Sequence, residues 1–359
     1  MTDTMPGATT DELVERLFSS TVGALELLSV YLGVRLGLYE AMTAGAATSD
    51  ELAERAGIHP RYAREWLEQQ AVAGFVSATG DDAASRRFTL PAPYHPPLTG
   101  VEDPSFVAPF ALLVAGIGEV LPALVDAYRT GGGVPFADYG ADLRDGQAAI
   151  NRPAFLTELG AVWIPAMPDV HARLNGEAPS CVANIGCGAG WASIGIARAY
   201  PRVQVYGFDP DGASIEDARR NAAAAGVEDR VNFFASGIGA ADAPDGYDLV
   251  CILEALHDMT HPVEVLAEVR AELAEDGAVL VADERVAETF TAPGDEIERM
   301  MYGWSVLHCL PAAMTESDSA MTGTVMRPQT LSRYAEDAGF AQVEVLDVDN
   351  DFFRLYRLR

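Results

Sequence analysis

Gly186, Gly188 and Gly190 stand at alternate positions in VANIGCGAGW, between a short apolar run and a helix-forming one. Residues lacking a Cβ let the backbone approach a ligand closely, and a helix opening at Trp191 aims its N–H groups at polar or negative groups. Asp209 lies 23 residues beyond Gly186, at the end of the next apolar run. A carboxylate there can accept both hydroxyls of a ribose. The spacing therefore suits a nucleoside-bearing ligand. The dinucleotide fingerprint GxGxxG needs glycine at position 191, where this chain has Trp191, so hydride transfer ranks last among the readings. Taken alone the glycines could form a tight structural turn; strand, helix and spaced acid together oppose that.

A second set lies in EALHDMTHPVEVL, where His257 is followed by Asp258. Imidazole titrates near neutrality and can take a hydroxyl proton while the oxygen attacks an electrophile. The bland alternative is a helix-start histidine with Asp258 as cap. Asp283 or Glu284, ending a later apolar run, could orient the imidazole or be solvated acids. Tyr302, Trp304 and His308 recur at near-helical spacing, which suits a core as well as a pocket wall. Tyr31, in the N-terminal helices, is a further pocket candidate. His59, His95 and His261 each neighbour a proline in turn-like sequence and are assigned no chemistry. No set of His, Cys, Asp and Glu has metal-ligand spacing, so no metal is expected.

These residues need elements to hold them. Residues 11–42 read as two helices, DELVERLFSS and GALELLSVYLGVRLGLYEAM. Thr48 and Glu51 form a capping-box pattern for SDELAERAG, stopped by Gly57. Pro60 opens RYAREWLEQQAVA, which Gly74 closes. FVSA and RFTL then read as two short strands, giving a winged-helix layout. Residues 96–175 read as a helical connector and pocket roof. From Ser180 the apolar runs CVANI, VQVYGF, VNFFA, YDLVCIL and AVLVA alternate with WASIGIARAY, SIEDARRNAAAAG and PVEVLAEVRAELAEDG. That alternation predicts a parallel sheet with helices on both faces. QVEVLDV and DFFRLYRL close the chain as an antiparallel hairpin, after a long insertion at 286–327. The expected domains are thus 1–95, 96–175 and 176–359.

Composition narrows the partners. Twenty-four basic against 53 acidic residues leave a formal charge of −29, which opposes nucleic acid and anionic lipid. The recognition helix carries Arg61 and Arg64 beside Glu65 and Glu68, so a dimer-forming role is expected for the winged helix rather than DNA binding. Four cysteines without a CxxC pair suit a reducing cytoplasm. The apolar stretches meet Glu26, Arg35 and Glu40, or Glu119, before spanning length, so no transmembrane helix is expected.

GxGxG in the C-terminal half, followed by a closing hairpin, resembles the class I S-adenosylmethionine-dependent methyltransferases. VANIGCGAGW, EALHDMTHPVEVL, ADERVAETFTAPGDE and YGWSVLHCLP are similar to an actinobacterial group of small-molecule methyltransferases with an N-terminal winged-helix-like domain. The resemblance implies an α/β fold, a Rossmann-like seven-stranded sheet with an antiparallel hairpin, and S-adenosyl-L-methionine as cofactor. It places Asn184, Gly186, Gly188, Gly190 and Asp209 at the donor, Ser236 and Gly237 beside the adenine, and Glu254 under the sulfonium. It makes His257 the base that deprotonates the acceptor. The family commonly has acids at the positions of Asn184 and near Ser236; both are neutral here. Methyl transfer to an oxygen or nitrogen of a small, secondary-metabolic acceptor by a homodimer is the expected function. The alternatives are non-methylating chemistry on the same fold (cyclisation, elimination or isomerisation) and a ligand-sensing winged-helix regulator.

Overall fold

The computed structural model describes residues 9–359 apart from 242 and 244. The chain divides into two compact units: one runs through Ala115 and includes Asp145–Ile150, the other comprises Gly116–Arg144 and Asn151–Arg359.

In the first unit, helices α1 (Thr10–Arg35), α2 (Leu38–Thr43), α3 (Ser49–Ala56) and α4 (Pro60–Val72) lead into strands β1 (Ser77–Thr79) and β2 (Arg87–Thr89). The capping box forms as the sequence implies: Thr48 Oγ1 accepts from Glu51 N at 3.3 Å, and Glu51 Oε2 accepts from Thr48 N at 2.9 Å. His59 has a local task, accepting from Arg61 N at the start of α4. β1 and β2 pair antiparallel as the wing. One expectation fails. The break expected near residue 21 is absent, and α1 runs unbroken to Arg35, turning at left-handed Gly37. Ser20 and Thr21 donate to the carbonyls of Arg16 and Leu17, which satisfies these polar side chains inside the helix. Val30, Tyr39, Leu52, Trp66, Leu67 and Phe88 form the unit's core.

α1 nevertheless leaves much of its apolar surface uncovered, Leu17 at 60% and Phe18 at 70% exposure. It and the helix Phe110–Thr130 are long and apolar enough to cross a membrane, by length and composition alone. Glu26 and Glu119 do not prevent this, contrary to the sequence argument.

The second unit is built on β3 (Ser180–Ile185), β4 (Val203–Phe208), β5 (Val231–Phe234), β6 (Tyr247–Leu253), β7 (Leu273–Glu284), β8 (Val343–Val345) and β9 (Phe353–Leu358). Their order is β5-β4-β3-β6-β7-β9-β8. The first five are parallel; β9 lies antiparallel to both β7 and β8. Alternation buries both faces: Val182, Leu249, Cys251 and Leu280 enter one core, Ala183, Val250, Ile252 and Val279 the other. The helix after β6 ends at Ala271, short of the expected Gly277, because the chain pairs Leu273 with Tyr247 and joins the sheet early. Strand order reverses between β3 and β6, so the loops leaving their carboxyl ends flank the crevice where open α/β sheets bind ligands.

Candidate active site

The loop after β3 is shaped by its glycines. Gly186, Gly188 and Gly190 have φ of 67°, 49° and 83°, a region L-residues rarely enter. A Cβ on Gly186 would sit 2.6 Å from Ala255 Cβ, so this loop lies directly against the segment leaving β6. Gly188 faces open space. Asp209 Oδ2 accepts from Gly188 N at 2.8 Å, and Oδ1 accepts from Asp211 N at 2.9 Å. A carboxylate offers about four lone-pair positions, so two remain for a ribose. Burial raises the Asp209 pKa, and those N–H bonds oppose it. Asp209 N bonds Phe234 O, which brings the end of β5, and Ser236 and Gly237 beyond it, to the same edge.

Asn184 is buried on β3. Its Nδ2 donates to Ser193 Oγ at 3.2 Å, while Oδ1 has no partner. The residue thus ties the strand to the helix Trp191–Ala199 and keeps an unused acceptor. An orphaned acceptor, an open glycine and a half-used carboxylate on one edge fit the polar groups of an adenosyl amino acid.

His257 is 2% exposed, on the turn Leu256–Asp258. That turn is not the start of an α-helix, so the capping role weighed for Asp258 does not arise. Nδ1 lies 3.0 Å from Asp283 Oδ1, which also accepts from Glu284 N at 3.0 Å. The Asp283 carboxylate accepts from Nδ1, which holds a proton on that nitrogen and leaves Nε2 as the one that exchanges its proton. Nε2 lies 3.4 Å from Asp258 Oδ1. Burial works against a charged imidazole, yet Asp283 and Asp258 outweigh it and hold His257 well above the ordinary histidine range.

Glu254 leaves β6 with φ of 52°, a strained setting for a non-glycine residue at a ligand-binding edge. Burial pushes its carboxyl up to about 7, against the pull of His257. Glu284 is raised further by burial and by Glu254. Asn151 hydrogen-bonds Glu254 and was not foreseen.

The insertion supplies a third side. His308 is buried, its Nδ1 3.4 Å from Cys309 Sγ and its ring edge-on to Tyr139 at 4.7 Å. Desolvation lowers its pKa and keeps it neutral. Cys309 also bonds His257, so the structure joins His257, Asp258, Asp283, Cys309 and His308 in one cluster. Tyr302 stands elsewhere in the insertion, accepting from Arg327 at 3.2 Å beside the Arg327–Glu298 ion pair. Trp304 ends the helix Glu296–Trp304, half-buried. Tyr31 packs against the core of the first unit. Cys309 and Tyr139 were missed; the quoted LHCLP was the available signal, read only as part of a resemblance.

The strand order, closing hairpin and glycine loop are those of the class I S-adenosylmethionine-dependent methyltransferase fold. Residues 181–339 match the family model described as a methyltransferase domain, and residues 23–99 match an Rv2258c-like winged HTH domain. The chain is similar to the tetracenomycin polyketide synthesis 8-O-methyl transferase TcmO of Streptomyces glaucescens, 26% identical over 326 residues and 88% of each chain. The solved structure of mitomycin 7-O-methyltransferase MmcR superposes with a TM-score of 0.69 at 20% identity, over 97% of this chain and 98% of that one. Human N-acetylserotonin methyltransferase in complex with SAM gives 0.65 at 16% identity, over 98% and 99%. At such identities these two structures establish the fold.

Proposed function

We propose that the enzyme transfers a methyl group to an oxygen of a small hydroxylated acceptor, with His257 as general base. One observation carries this. Asp283 holds the imidazole through Nδ1 and leaves Nε2 to take the acceptor's proton once His257 is neutral, two residues from Ala255, which packs on the glycine loop. Base and donor site are thus held together by adjoining backbone.

When bound, S-adenosyl-L-methionine supplies an electrophilic methyl carbon whose bonding pair departs to sulfur. Asp209 would hold the ribose hydroxyls, Gly186, Gly188 and Gly190 the backbone face of the donor, and Ser236 and Gly237 the adenine edge. Asn184 Oδ1 would take a donor N–H, and Glu254, neutral when protonated, would border the sulfonium. His257 Nε2 takes the acceptor's hydroxyl proton as its oxygen attacks, and Asp283 and Asp258 stabilise the resulting imidazolium. Proton removal of this kind contributes ~10²–10⁴-fold. Tyr302, Trp304 and His308 of the insertion would surround the acceptor, and the tetracenomycin and mitomycin enzymes suggest secondary metabolism as the setting.

For assembly, a second copy is the proposed cover for the exposed row Leu13, Leu17, Phe18, Leu25 and Leu32 on α1, because monomers rarely leave so continuous an apolar face open. Residues 1–95 would then be the dimerisation domain, 96–175 connector and roof, and 176–359 catalytic, in the cytoplasm. DNA is disfavoured as a partner: Arg61 pairs with Glu65 at 2.5 Å, Arg86 with Glu68 at 3.2 Å and Arg87 with Glu51 at 3.2 Å, which offsets much of the positive charge of α4 and the wing.

The test starts with calorimetric titration of S-adenosylmethionine, S-adenosylhomocysteine and NADH, followed by screening of phenolic acceptors for a mass gain of one methyl group. Binding of the two adenosyl ligands with a methylated product supports the reading. A product altered without gaining a methyl would move it to cyclisation, elimination or isomerisation, the alternative that neutral Asn184 and Ser236 motivate.

A further inference from the structure

His257, Asp258 and Cys309 present one donor atom each, and the three atoms lie within 4.8 Å of one another. The fold brings them together from separate places, the turn after β6 and the insertion, so no sequence spacing announces them. We propose that they form a binding site for a soft divalent transition ion, zinc or cobalt, that competes with the acceptor's proton for His257 Nε2. The site stands by itself; only its effect on turnover rests on the proposed function.

Four features fit an ion. First, the contact between His257 Nε2 and Asp258 Oδ1 is 3.4 Å. Two ligands at roughly 2.0–2.1 Å from a tetrahedral zinc are separated by about 3.3–3.4 Å, whereas that length is poor for a charged hydrogen bond. Second, Asp258 Oδ1 is buried without a hydrogen-bond partner, and a metal would satisfy it. Third, the remaining ring nitrogen of His257 bonds the buried Asp283 carboxylate at 3.0 Å. A carboxylate behind a histidine is the arrangement that fixes the tautomer of metal-ligating imidazoles and raises their basicity. Fourth, His308 Nδ1 lies 3.4 Å from Cys309 Sγ and can donate to it once the thiol has lost its proton.

Charge balance points the same way. A neutral imidazole, one carboxylate and one thiolate sum to −2, which a divalent ion cancels in a setting where net charge is costly. Thiolate and imidazole select zinc or cobalt over magnesium and calcium, which prefer all-oxygen ligation. Three protein ligands leave a fourth position for water or an acceptor oxygen. Loading displaces the thiol proton and any proton on Nε2 to solvent, and no electron changes hands.

Cobalt(II) added to the purified full-length protein reads the site directly. The expected result is one equivalent bound, with a thiolate-to-cobalt charge-transfer band and the strong visible bands of a four-coordinate ion. Cys309→Ser should abolish the charge-transfer band, Asp258→Asn should weaken binding at least tenfold, and Cys251→Ser, at a buried thiol on β6, should change neither. Near-UV circular dichroism checks that each variant is folded, and Asp258→Asn keeps the test alive if Cys309→Ser is not. Absence of the band in the wild-type protein, or its persistence in folded Cys309→Ser, would overturn the proposal. Zinc should also depress methyl transfer in proportion to occupancy, with recovery on adding EDTA; full turnover at full occupancy would overturn the competition. If no acceptor is ever methylated, the cobalt spectrum still decides the site, so the two failures stay distinguishable.

Discussion

Replacing Asp283 with asparagine removes one charge and almost no volume, and it tests how His257 is made a base. The carboxylate lies 3.0 Å from Nδ1 and is fully buried. At an effective dielectric of about 20, opposite charges at that distance attract by roughly 5 kcal/mol. Desolvation consumes part of this, and hydrogen bonds to charged groups are worth about 1.5–3 kcal/mol net. That net figure is what the imidazolium loses in the transition state, so kcat should fall about 10- to 150-fold. Asparagine adds a second penalty if its NH₂ donates to Nδ1. The proton then moves to Nε2, which loses its lone pair, and the fall approaches the ~10⁴-fold limit of general-base catalysis. Asp283 accepts from Glu284 N and reaches Glu254 only through its charge, so calorimetric affinity for S-adenosylmethionine should change less than about threefold. The assay is single-turnover methylation of a phenolic acceptor, followed by product mass. A kcat within about threefold of wild type, with donor affinity intact, would show that Asp283 does not prepare His257.

Gly186→Ala should abolish measurable donor binding and lower stability by more than the ~1–2 kcal/mol of a left-handed alanine, because its Cβ would lie 2.6 Å from Ala255; calorimetry and thermal melting check both parts. Glu254, raised from 4.5 to about 7, stabilises the fold only below its unfolded pKa and loses that contribution as pH rises through about 7. Glu254→Gln should therefore melt like wild type near pH 4.5 and increasingly above it toward pH 8, by up to about 3 kcal/mol from the 2.5-unit difference; equal melting points at pH 8 would contradict this. Arg327→Met strands Glu298, whose side chain is 6% exposed, and should cost roughly 3–5 kcal/mol. Adding Glu298→Gln should recover part of it in denaturant titrations. Leu17→Glu with Phe18→Glu on α1 should convert a dimer to monomer by light scattering, and an unchanged mass would remove α1 from the assembly.

The proposed donor half of the site was legible because it is local. Gly186, Gly188, Gly190 and Asp209 follow the buried apolar strands VANI and VQVYGF, and each glycine takes a positive φ that other residues rarely adopt. The capping box at Thr48 and Glu51 was readable for the same reason. The proposed base was half legible: HDM marks His257, but which of Asp283 and Glu284 holds it depends on which way a buried strand end points. The insertion resisted, since His308 and Cys309 reach His257 through tertiary folding across some 50 residues of chain, and near-helical spacing grouped Tyr302 with His308 although Tyr302 answers to Arg327. The break in α1 was misplaced because Ser20 and Thr21 satisfy their hydroxyls on the helix's own carbonyls, and a single glycine such as Gly23 costs a helix only about 1 kcal/mol.

The acidic pairs around His257 also explain how one buried histidine can remain strongly basic. Burial alone would drive it neutral and weakly basic, the fate of His308 in the same cluster. Two carboxylates reverse that for His257, Asp283 on one nitrogen and Asp258 near the other. Glu254 and Glu284 add acids but not charge when protonated, and their raised pKa values follow from the same desolvation. Further ionisation would place uncompensated charge inside the protein, so both carboxyls keep their protons to higher pH than free ones. The neighbouring histidines thus divide into a strongly basic group and a neutral one. That division comes from the placement of carboxylates, and it makes Asp283→Asn more informative than removal of either imidazole.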